Sequence, residues 1–150
     1  MPRIGRSYLL AGLLLVLTGC TTQSAVFEDR SPEQVWTALI AVAEEPDYAK
    51  WLVIENNVWV DPVYDRIEIR RELKRDLHRP GAPPARESQD LEFQVVLERT
   101  SPPAVTVTVR NAMIRGKAIM AIDHFFAEVR GLLYVDPEPV PVAEAVGDGD

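Results

Sequence analysis

Few residues in this 150-residue chain stand where they could do chemistry. The two histidines are His78, beside Arg79-Pro80, and His124, in the run Asp123-His124-Phe125-Phe126. An aspartate next to a histidine suggests a base with an orienting carboxylate. Neighbours on a helix do not face each other, however, so the pair is one of print only. Helical spacing around His124 sets it away from the apolar stripe and toward solvent. Neither histidine is expected to act as base or ligand. No HExxH, CxxC, Walker loop, GxSxG or GxGxxG is present. The only cysteine is Cys20, so an intramolecular disulfide is impossible and thiolate-metal chemistry has no support. The chain therefore reads as non-enzymatic, with no cofactor and no metal.

The richest polar feature is the stretch Arg66 to Leu77. Ile67, Ile69, Leu73 and Leu77 fall on one face, while Arg66, Glu68, Arg70, Glu72, Lys74 and Asp76 alternate in sign on the other. Period two predicts a strand with one wet face. Arg71 and Arg75 interrupt the apolar face, so the far end is expected to project beyond the core. A switch to helix after Arg71 is the alternative. Arg66, Arg70, Arg71, Lys74, Arg75 and Arg79, with Arg86 nearby, make a local basic excess and a candidate partner surface. Such a patch suits an acidic protein, a phosphate-bearing envelope polymer or a lipid headgroup. The plainer reading is a solvated sheet face whose ion pairs contribute little each. Trp36, Trp51 and Trp59 belong to the core or its edge. The parity of Trp51 and Trp59 predicts that at least one is exposed, a position suited to contact with protein, glycan or membrane.

The elements that must position these residues follow from period and punctuation. In the run from Asp29 to Glu45, Ser31, Pro32 and Gln34 form a helix start with a capping box, and Val35, Trp36, Leu39, Ile40, Val42 and Ala43 form its apolar stripe. Pro46 ends it. Trp51 to Asp61 is one strand, or two reversing at Asn56-Asn57. Residues 78–90 form a loop by composition. Leu91 to Glu98 and Val105 to Arg110 alternate, are rich in β-branched residues and flank the turn Ser101-Pro102-Pro103. A second helix is expected from about Lys117 to Leu133, with its stripe on Ile119, Ile122, Phe126, Val129 and Leu133. The order is α-β-β-β-β-α. The expected fold is α+β, a two-layer sandwich with an antiparallel sheet of three to five strands and both helices on one face. In element order alone the body resembles the small domains of envelope-assembly lipoproteins and the helix-grip folds. No motif is shared, and fold does not fix function.

The N-terminal stretch tells where the protein resides. Arg3 and Arg6 precede an apolar run from Tyr8 to Leu17, the length of a secretory signal and too short to span a bilayer. The run closes in Leu17-Thr18-Gly19-Cys20. This resembles the lipobox of bacterial lipoproteins: an aliphatic residue, two small residues, then cysteine. The resemblance implies that Cys20 carries a diacylglyceryl group and becomes the mature N-terminus. Thr21, where the family uses aspartate for inner-membrane retention, favours the periplasmic face of the outer membrane for a Gram-negative source. The expected organisation is a signal peptide at 1–19, a lipidated start and tether at 20–30, one α+β domain at 31–135 and a disordered, acidic, Pro-rich tail at 136–150.

Charge narrows the partners. Residues 1–19 hold two of the 16 basic residues and none of the 23 acidic ones, so the remainder carries net −9. A general nucleic-acid binder would be basic, so none is expected. An acidic domain does not adhere to anionic lipid, so the acyl chains must hold it at the membrane. The function these readings imply is a lipid-anchored, non-catalytic interaction or assembly module with an envelope protein partner. One alternative is a carrier of a small apolar ligand or lipid between helices and sheet; another is an enzyme without a recognisable motif.

Overall fold

The computed structural model describes residues 20–111 and 115–134. Its elements are β1 (Thr21–Val26), α1 (Pro32–Glu44), β2 (Leu52–Asp61), β3 (Arg66–Leu77), β4 (Ala85–Glu98), β5 (Ala104–Val109) and α2 (Arg115–Leu133). The strands form one antiparallel sheet in the order β1-β5-β4-β3-β2. Both helices pack on one face of it. The expected α+β two-layer sandwich is therefore present, with one strand added at the start. The expected signal peptide at 1–19 and the expected disordered tail at 136–150 lie outside the described residues.

The added strand replaces the expected tether. Thr21–Val26 pairs with β5 from Thr21↔Val109 to Val26↔Ala104. Thr21 and Ala25 point inward and are buried. On the outer face the hydroxyls of Thr22 and Thr108 lie 2.9 Å apart, and those of Ser24 and Thr106 lie 2.8 Å apart. Small polar residues gave no apolar alternation to read, yet an edge strand needs only one neighbour and tolerates a polar outer face. The domain thus begins directly after Cys20.

The core is filled. The inward residues of β3, β4 and β5 meet Val35, Leu39 and Val42 of α1 and Ile122, Phe125, Phe126 and Val129 of α2. At the start of α1, Ser31 accepts from the Gln34 N–H and the Gln34 side chain accepts from the Ser31 N–H, the reciprocal cap read in the sequence. The C-termini of both helices are held by arginines from other elements. Arg30 donates from Nε and Nη2 to the Leu133 carbonyl at 3.0 and 2.7 Å and stacks on Tyr134. Arg71 of β3 donates to the Ala43 carbonyl at 2.9 Å. Each cation satisfies a carbonyl that the helix leaves unpaired and complements the negative end of the dipole.

β2 is a single strand with an irregularity between Val53 and Glu55, and it does not reverse at Asn56-Asn57. The Asn56 carboxamide is committed to the helix end, donating to the carbonyls of Ala43 and Glu44 at 2.9 and 3.1 Å. The reversal falls between β2 and β3, where Asp65 adopts φ 48°. β3 continues as strand to Leu77. The expected loop shortens to residues 78–84 because Ala85 to Asp90 extend β4 and pair with Glu72 to Leu77. The part of that paired arm past Leu73 is the exposed far end expected at Arg75, whereas the interruption at Arg71 lies inside the core.

Candidate functional site

The arm shapes one end of the molecule. The row Ile69↔Phe93 is continued by Phe93↔Val109 and by Thr21↔Val109, so β1 begins level with the root of the arm. α2 starts at the same end, soon after β5. Between the arm, the N-terminal turns of α2 and the segment 48–51 lies an open cleft of about 520 Å³. Leu73, Leu91, Trp51, Met120 and Ala121 give it apolar walls, and Lys50, Arg75, Glu87 and Lys117 line it with charge. A second cleft of about 470 Å³, on the β2 side of the arm, shares Trp51 and Arg75 with the first.

The charged groups in the main cleft form one linked set. Arg75 donates from Nε and Nη2 to Glu87 Oε2 at 2.8 and 2.7 Å, while Lys117 Nζ lies 3.3 Å from Glu87 Oε1. The guanidinium sits over the Trp51 ring, 4.3 Å from its centroid. The hydrogen bonds from Arg75, and then Lys117, hold the Glu87 carboxyl below the usual carboxylate range. One carboxylate therefore bridges two cations, with exposed Lys50 beside them.

The six residues of the candidate partner surface do not share a face. Arg66, Arg70 and Lys74 belong to the outer face. Arg66 lies 3.6 Å from Asp61 and 3.7 Å from Glu68, Lys74 lies 2.7 Å from Glu72, and Arg70 is exposed. Arg79 is exposed in the loop. Arg75 turns inward to the cleft. Arg71 also turns inward and is only 1% exposed, so it is a correction to the patch: it cannot meet a partner. Its Nε donates to Asn56 Oδ1, its Nη1 to the Tyr48 hydroxyl and its Nη2 to the Ala43 carbonyl, each at 2.9 Å. Parity carried the signal, since Arg71 and Arg75 share a face with Leu73. Burial of a charge becomes tolerable where its donors are met, and here three elements meet them.

His124 lies on the solvent side of α2, as its helical position predicts, with 37% of its side chain exposed, and the chain leaving α1 runs beside it. Its Nε2 lies 2.7 Å from the Asp47 carbonyl oxygen, which can only accept, so Nε2 carries the proton. The ring packs on Tyr48 with centroids 4.6 Å apart. Glu128, one turn on, accepts from the Asp47 N–H at 2.6 Å through Oε1, while its Oε2 is buried without a hydrogen bond. Burial pushes the Glu128 carboxyl above the usual range, against the pull of the Asp47 N–H, His124 and Arg71. Burial likewise raises the Tyr48 phenol, and Arg71 opposes the rise.

These groups are arranged to hold the segment 47–48 in place. Among the described residues lining the cleft, no serine, threonine or cysteine stands beside His124, and the Tyr48 hydroxyl is taken by Arg71. No group of three or more His, Cys, Asp or Glu residues that could hold a metal ion occurs among the described residues. His78 is exposed in the 78–84 loop. Trp59 is the exposed tryptophan, at 57%, on the outer face of β2 with Val63 and Tyr64 beyond it in the turn. The sequence did not single out Lys50, Glu87, Gln89, Lys117 or Met120. The period running back from Leu91 through Gln89 to Glu87 was the available signal for the first strand residues among them.

No protein-family model matches the chain, and no curated protein matches it. Several solved structures share its architecture. A Mesorhizobium loti protein aligns at TM-score 0.48 and 16% identity over 77% of this chain and 96% of its own. A Chromobacterium violaceum protein aligns at TM-score 0.40 and 16% identity over 80% and 99%. A Nitrosomonas europaea protein aligns at TM-score 0.41 and 10% identity over 77% and 94%. At these values the likeness is one of general architecture and carries nothing about function.

Proposed function

We propose that the protein is a lipid-anchored, non-catalytic binding module of the cell envelope, held at the membrane through Cys20, with the cleft beside the arm as its binding site. The cleft carries the reading. Its volume of about 520 Å³ is that of a small-molecule site, and its apolar walls carry a few converging charges.

The anchor reading has a structural companion. Cys20 is exposed and immediately precedes β1. Without a flexible tether, the acyl chains would fix the domain closely, with the cleft end toward the bilayer. The arm extends eight residue rows past the row Ile69↔Phe93, about 26 Å at the usual strand rise. An anchored domain must therefore lean so that the arm lies along the bilayer surface. Among the described residues no helix is long and apolar enough to cross a membrane. An envelope protein partner would then meet the surfaces that face away, such as the exposed Trp59, Val63 and Tyr64.

The test of the anchor is the intact mass of the protein extracted from its own membranes. The expected species starts at Cys20 with a diacylglyceryl adduct, and Cys20→Ser yields a chain without the adduct that keeps residues 1–19. An unmodified cysteine in a chain that still starts at Met1 would overturn the anchor reading.

A further inference from the structure

We infer that the cleft takes a single-chain amphiphile with an anionic headgroup, such as a carboxylate or a phosphate monoester, and that Glu87 is an internal counter-ion competing with that headgroup. The inference rests on the cleft being a binding site and adds the chemistry of what enters it. Three cations, Lys50, Arg75 and Lys117, line the cleft against one carboxylate, Glu87, in a chain whose net charge is −7. An acidic protein that gathers positive charge around an apolar cleft has a field that favours anions there.

The geometry shows how a headgroup would be held. Glu87 already lies where an incoming carboxylate would bind, with Oε2 on the Arg75 fork and Oε1 toward Lys117. The Arg75 contacts are short and charge-assisted, whereas the Lys117 contact at 3.3 Å is long. Lys117 is therefore the first cation released to a competitor, and exposed Lys50 is available with it. Stacking on Trp51 fixes the plane of the Arg75 guanidinium, so its charge stays at the cleft rather than in solvent. The tail would lie against Met120 and the Trp51 ring, over a floor formed by the edges of buried Leu73, Leu91 and Ala121. Met120 is 72% exposed, an unbranched side chain able to adjust over a tail.

The experiment uses the chain from residue 20 with Cys20→Ser, which contains every described residue and lacks an acyl chain that could fill the cleft. Decanoate, decan-1-ol and decyltrimethylammonium are titrated below their micelle-forming concentrations, and binding is read from backbone and Trp51 indole NMR shifts. Decanoate is expected to bind tighter than decanol, and the cation weakest. Lys117→Gln and Arg75→Gln each weaken decanoate about fivefold, and Glu87→Gln tightens it by a similar factor, leaving decanol unchanged. Added salt weakens decanoate alone. Unchanged circular dichroism shows that each variant folds. Equal binding of the three compounds, or a Glu87→Gln variant that binds decanoate less well, would overturn the headgroup inference while leaving a binding cleft. No shift at the cleft with any of them would overturn the binding-site reading itself.

Discussion

Replacing Arg71 with methionine isolates the contribution of the buried cation. Methionine fits the apolar stem but cannot donate. The substitution removes three charge-assisted hydrogen bonds, to Asn56, Tyr48 and the Ala43 carbonyl. Hydrogen bonds to a charged group contribute about 1.5–3 kcal/mol each, net of the exchange with water. The variant no longer buries a guanidinium, which offsets part of that loss, but it leaves Asn56 Oδ1 and the Tyr48 hydroxyl without this donor. The Ala43 carbonyl stays satisfied, because Asn56 Nδ2 donates to it. The net loss is therefore expected near 3 kcal/mol, inside the range for losing one member of a buried polar network. For a domain of this size that lowers Tm by about 12 °C. Urea unfolding should show a lower midpoint at unchanged slope, since the substitution hardly changes the surface exposed on unfolding. Arg71→Lys should recover less than half, because one ammonium cannot reach three elements as the fork does. Tyr48→Phe alone should cost about 1.5 kcal/mol, and the double variant should fall short of additivity by about 1 kcal/mol. An Arg71→Met chain within about 1 kcal/mol of the parent, or strict additivity with Tyr48→Phe, would show that Arg71 does not bind these elements together.

Three further outcomes follow from single contacts. Glu128 keeps its proton more readily folded than unfolded, so stability should fall as pH rises from the ordinary carboxylate range through its folded value; Glu128→Gln should remove that decline in pH-dependent thermal unfolding and raise stability at neutral pH. Asp65 is held below the usual range by the Arg99 fork, so it contributes stability at neutral pH that is lost as pH falls through its folded value; Asp65→Asn should flatten the acid limb of the same profile. Ser31→Ala removes the cap on α1 and should cost about 1 kcal/mol, or about 4 °C in Tm by calorimetry.

The parts of the fold that were legible in the sequence are those where one face is apolar. Val105, Val107 and Val109 alternate with polar residues and sit in the core as their parity requires. Ser31 and Gln34 announced α1 by chemistry that needs no tertiary context. β1 was illegible because Thr21 to Val26 lacks an apolar period; it is a strand only because β5 offers it an edge. Arg71 was visible as an interruption, but its burial depends on Tyr48, Asn56 and the end of α1 arriving together, which no local pattern encodes. The cleft was hidden for the same reason, as its charges come from β3, β4, α2 and the segment before β2. The contacts of His124 were illegible because a helical wheel shows the stripe facing the sheet and not the chain that crosses the flank.

The binding site itself is tested most directly by a nitroxide-labelled decanoate added to the same Cys20→Ser chain, with paramagnetic broadening read residue by residue. Binding in the cleft predicts loss of intensity at the Trp51 indole, the Met120 methyl and the amides of Leu91 and Ala121, and unaffected signals at Trp59 and Tyr64. Broadening centred on Trp59, Val63 and Tyr64, with the Trp51 and Met120 signals intact, would contradict it and move the binding surface to the exposed apolar turn between β2 and β3.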